Sequence, residues 1–166
     1  MFGRGSFNQL GDVIGERRTT ADSFFVFILD DVFSGKPLEG RLPMQGGDLL
    51  LPVNVEDEPK TSYIDHLVQK IRDYSPAVPA GIIGIGGGSA MDIAKAVSLM
   101  LTNPGSSADY QGWDLIKNPS VYHVAVPTLA GTGAEISRTA ILTGPVKKLG
   151  INSDHTLFHQ IVLDPE

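Results

Sequence analysis

Ile82-Ile83-Gly84-Ile85-Gly86-Gly87-Gly88-Ser89-Ala90-Met91-Asp92 is the stretch that decides the fold. A short apolar, β-rich run meets three consecutive glycines and then a residue favoured at helix N-caps. A buried strand, a tight turn and a helix in direct succession form a repeating unit of parallel sheets. The glycines let the backbone take conformations closed to other residues and leave no side chain in the way of a ligand. The spacing predicts Ser89 as the N-cap, with Asp92 completing a variant of the capping box. The helix then begins at the loop, and its first amides and positive dipole end face whatever lies over the glycines. That arrangement suits an anion, above all a phosphate. A second reading stays open on these residues alone, in which the turn only packs helix against sheet.

Working outward, Phe24 to Leu29 is a continuous apolar run stopped by Asp30-Asp31, as expected of a strand buried on both faces. Leu49 to Val55 is a second strand candidate, and Pro52 within it argues for an edge position or a strand that starts late. Thr61 to Tyr74 places Ile64, Leu67, Val68 and Ile71 on one helical face. Ser89 to Leu101 is a second helix, with Ala90, Ala94, Val97 and Leu101 along one stripe. Val121 to Val126 is a further strand, ended by Pro127, and Ala140–Leu142 and Ile161–Leu163 are weaker candidates. Asn103 to Asn118 reads as a surface excursion. The alternation predicts an α/β domain with a mostly parallel sheet flanked by helices, spanning residues 1–166 as one unit.

A second loop, Pro127-Thr128-Leu129-Ala130-Gly131-Thr132-Gly133-Ala134-Glu135, also follows a buried strand. Thr132 and Glu135 have capping-box spacing. Loops at the carboxyl ends of parallel strands converge on one crevice, where Thr128 and Thr132 could offer hydroxyls to phosphate or ribose oxygens. The order of parts departs from the usual dinucleotide fingerprint: Ser89 stands where the last glycine would be, and the strand-end acids precede the glycines. Nor does a lysine follow as in a P-loop.

Composition narrows the function classes. The 166 residues carry 13 Lys plus Arg against 19 Asp plus Glu, a net charge of -6. Such a chain repels nucleic acid and anionic membranes, and its two small basic pairs, Arg17-Arg18 and Lys147-Lys148, do not reverse this. Cys is 0, so disulfides, thiolate metal sites and cysteine nucleophiles are excluded, and a reducing cytoplasmic setting fits. His155-x-x-x-His159 beside Asp154 is the only spacing that mimics a metal site, and the intervening residues do not insist on a helix. His66 and His123 read as structural. No catalytic residue and no metal ligand is assigned.

The two loops, in this order and spacing, resemble the iron-containing (group III) alcohol dehydrogenase family. The matching pieces are Gly86-Gly87-Gly88-Ser89-x-x-Asp92-x-Ala94-Lys95 and Pro127-Thr128-x-x-Gly131-Thr132-Gly133-x-Glu135, with Phe27-Ile28-Leu29-Asp30 and Val162-Leu163-Asp164-Pro165. Residues 95–105, 110–117 and 144–154 resemble the branch of 3-deoxy-manno-octulosonate 8-oxidases. The resemblance implies a Rossmann-like nucleotide-binding domain and NAD(H) as cofactor. Asp30 would hold the adenosine ribose and disfavour NADP, with Asp31 as the fallback. Gly86, Gly87, Gly88 and Ser89 would hold the pyrophosphate, Asp92 would sit near the nicotinamide, Thr128 and Thr132 would line the cleft, and Lys148 would reach a cofactor ribose. Glu58-Pro59-Lys60-Thr61 departs from the family's Asn-Pro-Thr.

The family's divalent metal, iron or zinc, is bound in an all-helical domain that follows this one. The expectation is therefore a piece of a longer, homodimeric two-domain oxidoreductase acting on an alcohol or sugar-acid, with a piece that binds NAD weakly and does not turn over alone. An uncovered apolar patch, an open sheet edge and self-association are expected with it. The alternative is a non-catalytic nucleotide- or phosphate-binding module.

Overall fold

The apolar run before Asp30 becomes an interior strand of a five-stranded parallel sheet. The computed structural model describes residues 1–166. In chain order the elements are α1 (Leu10–Gly15), β1 (Phe25–Asp30), β2 (Leu49–Val53), α2 (Thr61–Tyr74), β3 (Gly81–Gly86), α3 (Gly88–Met100), β4 (Gly112–Trp113), β5 (His123–Pro127), β6 (Thr139–Thr143), β7 (Lys148–Asn152) and β8 (Gln160–Ile161). The main sheet runs β2-β1-β3-β5-β8. All its pairings are parallel. β2 is an edge strand with Pro52 exposed, the first of the two readings that Pro52 allows.

Every residue of β1 is buried because both faces of the sheet are covered. Val26 and Ile28 point into one core layer with Ile64, Leu67, Val68 and Ile71 of α2 and the buried stripe of α3. Phe25, Phe27 and Leu29 point the other way, against Leu10 and Ile14 of α1 and against Phe7. Each of these large side chains contributes roughly 1.5–3 kcal/mol by leaving water. α3 lies unusually close to β3. A β-carbon on Gly84 would stand 2.6 Å from the Ala94 Cβ, so only small residues at both positions permit this approach.

Two strand expectations change in detail. Ala140–Leu142 does not join the main sheet; β6 pairs with β7 as an antiparallel hairpin, and β4 adds to β7. Ala140, Leu142 and Ile151 of this small sheet pack into the α3 core layer. The stretch from Asn103 to Asn118 is thus not only a surface excursion, since it supplies β4. The sheet edge expected to lie open is partly covered as well. Phe2 bridges Leu163, the Gly3 amide donates to Leu163 O, and the Met1 amino group donates to Ile161 O at 2.7 Å.

β1 enters the sheet through Asp48. Its carboxylate, fully shielded from solvent, takes a bidentate pair from Arg18 (3.0 and 2.6 Å) and the amides of Phe25 and Gln45, both at 2.8 Å. Burial pushes this carboxyl up, but the bonds from Arg18, Gln45 and Phe25 and the Arg18 charge outweigh it, so the group titrates below 3.8. A depressed folded-state pKa contributes stability above the unfolded value and loses it as pH falls through the folded one. Asp48→Asn is therefore expected to cost about 2 kcal/mol at neutral pH. The difference from the parent should shrink as pH drops below 3.8, read by urea denaturation at several pH values. A constant difference down to strong acid would contradict this.

Candidate functional site

The strand order reverses between β1 and β3: the chain leaves β1 for β2 on one side and returns to β3 on the other. Parallel sheets bind ligands at the carboxyl ends of the strands at such a switch point. Asp30 ends β1 and Gly86 ends β3, and they touch. A β-carbon on Gly86 would lie 2.8 Å from the Asp30 Cβ and 3.4 Å from its Oδ2. Gly86 has φ +147, a backbone conformation that side chains rarely adopt.

α3 begins earlier than predicted. Gly87 is its N-cap, no side chain caps it, and Ser89 is the second helical residue. The expected cap and capping box at Ser89 and Asp92 are absent because the glycines let the chain enter helical geometry two residues sooner. The first amides of any helix lack intrahelical partners, so those at 88–90 head the helix. Ser89 keeps its hydroxyl for the cleft that it lines.

The second loop also corrects its expectation. No helix follows β5, so Thr132 and Glu135 form no capping box. Gly131 (φ +127) and Gly133 (φ +62) break helical geometry. The Ala134 amide donates to Thr132 Oγ1 at 3.3 Å in a local turn. The loop instead folds back over the glycines: the Thr128 amide donates to Gly86 O at 2.9 Å, and Thr132 packs beside Gly88. Between the loops lies a cleft of about 500 Å³. Gly88, Ser89, Asp92 and Thr132 line it from the loops and α3, with Lys148 from β7 at its rim. Gly87 remains open, its nearest neighbour for an added β-carbon being Leu129 at 4.0 Å.

Of the residues singled out from sequence, Gly88, Ser89, Asp92, Thr132 and Lys148 meet in this cleft, and Asp30, Gly86 and Gly87 form its shoulder at the switch point. Thr128 does not line the cleft; it is exposed, and its amide is spent on Gly86. Asp30 Oδ1 accepts the Val32 amide at 3.1 Å, and Asp31 is exposed with its Oδ2 accepting from Asn54. Sequence reasoning missed Glu58, Ser137 and Thr139 as lining residues and gave Lys95 no role. Glu58 carries a signal in hindsight, since it departs from the family pattern and ion-pairs with Lys148 across the rim. Hydrogen bonds from Lys148 and Thr143 hold the Glu58 carboxyl below the usual carboxylate range.

Asp92 is the most perturbed acid. Burial pushes its carboxyl up to about 6, against the Lys95 charge, the Ile141 amide and the Lys148 charge. A raised carboxyl means the folded state binds more protons between 3.8 and about 6, so stability falls as pH rises through that window. Asp92→Asn is expected to gain about 1–3 kcal/mol at neutral pH and nothing below about pH 4. Denaturant titration at both pH values checks this; a loss of stability at neutral pH would refute it.

His155 lies in a 3-10 turn (Asp154–Thr156) and His159 precedes β8, so the helical metal spacing does not form. His159 Nδ1 instead accepts the His123 amide at 3.2 Å. His123 is buried in β5, and burial pulls its pKa down to about 4, keeping the ring neutral. No group of three or more His, Cys, Asp and Glu side chains is arranged to hold a metal ion. No helix is long and apolar enough to cross a membrane.

Residues 1–165 match the family described as Fe-ADH, iron-containing alcohol dehydrogenase. A sulfoacetaldehyde reductase of Bilophila wadsworthia is 35% identical over 133 residues, covering 79% of this chain and 34% of the relative. A 4-hydroxybutyrate dehydrogenase of Cupriavidus necator is 36% identical over 129 residues, 74% of this chain and 33% of the relative. The crystal structure of a sulfoacetaldehyde reductase from Bifidobacterium kashiwanohense in complex with NAD+ superimposes with TM-score 0.86 at 25% identity, over 99% of this chain and 43% of that one. The chain thus spans about a third of the length of these curated relatives.

Proposed function

We infer function from one premise, that this chain belongs to the iron-containing alcohol dehydrogenase family, and we propose that it is the nucleotide-binding half of an NAD-dependent alcohol or aldehyde oxidoreductase. The single observation that carries the reading is the glycine turn at the switch point, which has the Asp30 carboxylate against Gly86 and leads through Gly88 and Ser89 into the cleft.

The residues present fit a dinucleotide. Gly87 leaves room where a side chain would intrude, and about 500 Å³ is within the usual range for small-molecule sites. Asp30 would accept hydrogen bonds from the adenosine ribose. The turn at Gly86–Ser89 would hold the diphosphate on backbone amides. Thr132 and Ser89 would add hydroxyls, and Lys148, released from Glu58, would meet ribose oxygens or phosphate charge. Asp92 would face the nicotinamide end. NAD, when bound, supplies the hydride acceptor or donor. The 166 residues offer no metal-ligand cluster, and no step through a metal is derived from them. A metal site in a further domain is part of the proposal, as are a homodimer and a cytoplasmic setting.

For the alcohol, the relatives' names point to small aldehydes and hydroxy acids such as sulfoacetaldehyde and 4-hydroxybutyrate. The eight-carbon sugar acid is the finer proposal. It rests on likeness at 95–105, 110–117 and 144–154, two of which meet where β4 pairs with β7.

Calorimetric titration with ADP-ribose, NAD and inorganic phosphate tests the reading. ADP-ribose and NAD should bind saturably, and phosphate should compete only at far higher concentration. Equal affinity for any phosphate compound would favour a non-catalytic phosphate-binding module instead.

A further inference from the structure

Lys95 is fully buried in α3 between Ala94 and Ala96, on a helix whose other buried side chains are apolar apart from Ser98. A buried ammonium costs several kcal/mol unless its protons are all taken. Here they are taken by oxygens of one segment: Ala134 O at 2.5 Å, Ser137 O at 2.8 Å, Ser137 Oγ at 3.0 Å and Thr139 O at 3.0 Å. No carboxylate accepts from it; Phe158 lies 5.5 Å away with its ring facing the charge. Burial pulls its pKa down to about 8 while Asp92 and Glu135 hold it up, so it is cationic at neutral pH.

Those oxygens belong to a stretch with no helix or strand of its own before Thr139, entered through the conformationally free Gly131 and Gly133. The stretch makes a local turn, with the Ile136 amide donating to Gly133 O and the Ser137 hydroxyl to Ala134 O and Thr139 O, and its hydrogen bonds to α3 all come from Lys95. The same stretch turns Ala134, Ser137 and Thr139 into the cleft as the wall opposite Ser89 and Asp92. The cleft does not include Asp30, which lies on the far side of Gly86. A dinucleotide with its diphosphate at 87–89 would send one half over Asp30 and the other half along this wall.

We propose that Lys95 is a positioning residue: its ammonium fixes the wall from Ala134 to Thr139 against α3, and that wall receives the half of the dinucleotide beyond the diphosphate. This rests on the NAD-binding reading above.

The experiment compares NAD with ADP-ribose on the full chain by calorimetry, for the parent, Lys95→Met and Lys95→Cys. The chain has no other cysteine, so Lys95→Cys can be alkylated in denaturant with 2-bromoethylamine and refolded to restore an ammonium at nearly the original reach. Lys95→Met should weaken NAD roughly tenfold and ADP-ribose by less than about threefold, and the alkylated Lys95→Cys should recover the parent's preference for NAD. An unchanged NAD-to-ADP-ribose ratio in a folded Lys95→Met overturns the proposal.

Should Lys95→Met fail to fold, the parent labelled with 15N-lysine decides. The protected Lys95 Nζ signal should move with NAD and stay with ADP-ribose; an identical response to both, or to neither, overturns it. A parent that binds neither compound overturns the NAD-binding reading itself, an outcome distinct from binding with an unchanged ratio.

Discussion

Gly86→Val is expected to destabilise the chain by about 4 kcal/mol and to abolish dinucleotide binding. Two independent penalties combine. Gly86 has φ +147, which a β-branched residue does not adopt without strain. Its β-carbon would also stand 2.7 Å from the Ala90 Cβ and 2.8 Å from the Asp30 Cβ. Neither neighbour can step aside: Ala90 is fully buried in the first turn of α3, and Asp30 is held in β1. The helix must move away from the strand ends, and its amides lose their aim. A fall in melting temperature of about 8–16 °C should accompany it. Gly87→Ala is the matched control. Its φ of -80 is ordinary, and its β-carbon would only graze Leu129 at 4.0 Å. It should change stability by less than about 1 kcal/mol yet weaken ADP-ribose, because the methyl enters the space a diphosphate would use. Unchanged ADP-ribose binding by Gly87→Ala would show that the turn holds no ligand.

Asp30→Ala is expected to shift the preference between NAD and NADP by about 100-fold toward NADP, roughly 3 kcal/mol. The carboxylate stands at the switch point, nearly buried, and a 2′-phosphate placed against it would meet like charge in a poorly solvated place. Removing it should also weaken NAD by about tenfold through loss of charge-assisted ribose hydrogen bonds. The same change removes the acceptor for the Val32 amide, costing about 1 kcal/mol of stability. Asp30→Asn separates the effects, since its amide oxygen can still accept from Val32 while the charge is gone. Competition calorimetry with both dinucleotides reads the ratio. A parent that prefers NAD and an Asp30→Ala variant that keeps the same ratio would remove Asp30 from this role and leave Asp31, exposed one residue on, as the alternative; a parent that binds NADP as tightly as NAD would remove both.

Period and punctuation determined much of the architecture in advance. The runs at 24–29 and 82–85 had to be doubly buried strands because no polar residue interrupts them. The face of Ile64, Leu67, Val68 and Ile71 had to be a helix, and the glycines after Ile85 had to be a turn at a strand end. These are short-range consequences of propensity and burial, and they placed Asp30, Gly86–Ser89, Asp92 and Thr132 near one another. Long-range geometry decided the rest. Capping at Ser89 and Thr132 followed a local rule that glycine φ values overrode. The β6–β7 hairpin left the main sheet because its apolar face found α3 instead. Glu58 reached Lys148 across 90 residues, and Lys95 found its oxygens some 40 residues on. The chain alone says which residues must leave water and where it must turn; which loops a buried ammonium draws together depends on the packed interior, where an unmatched charge costs too much to remain.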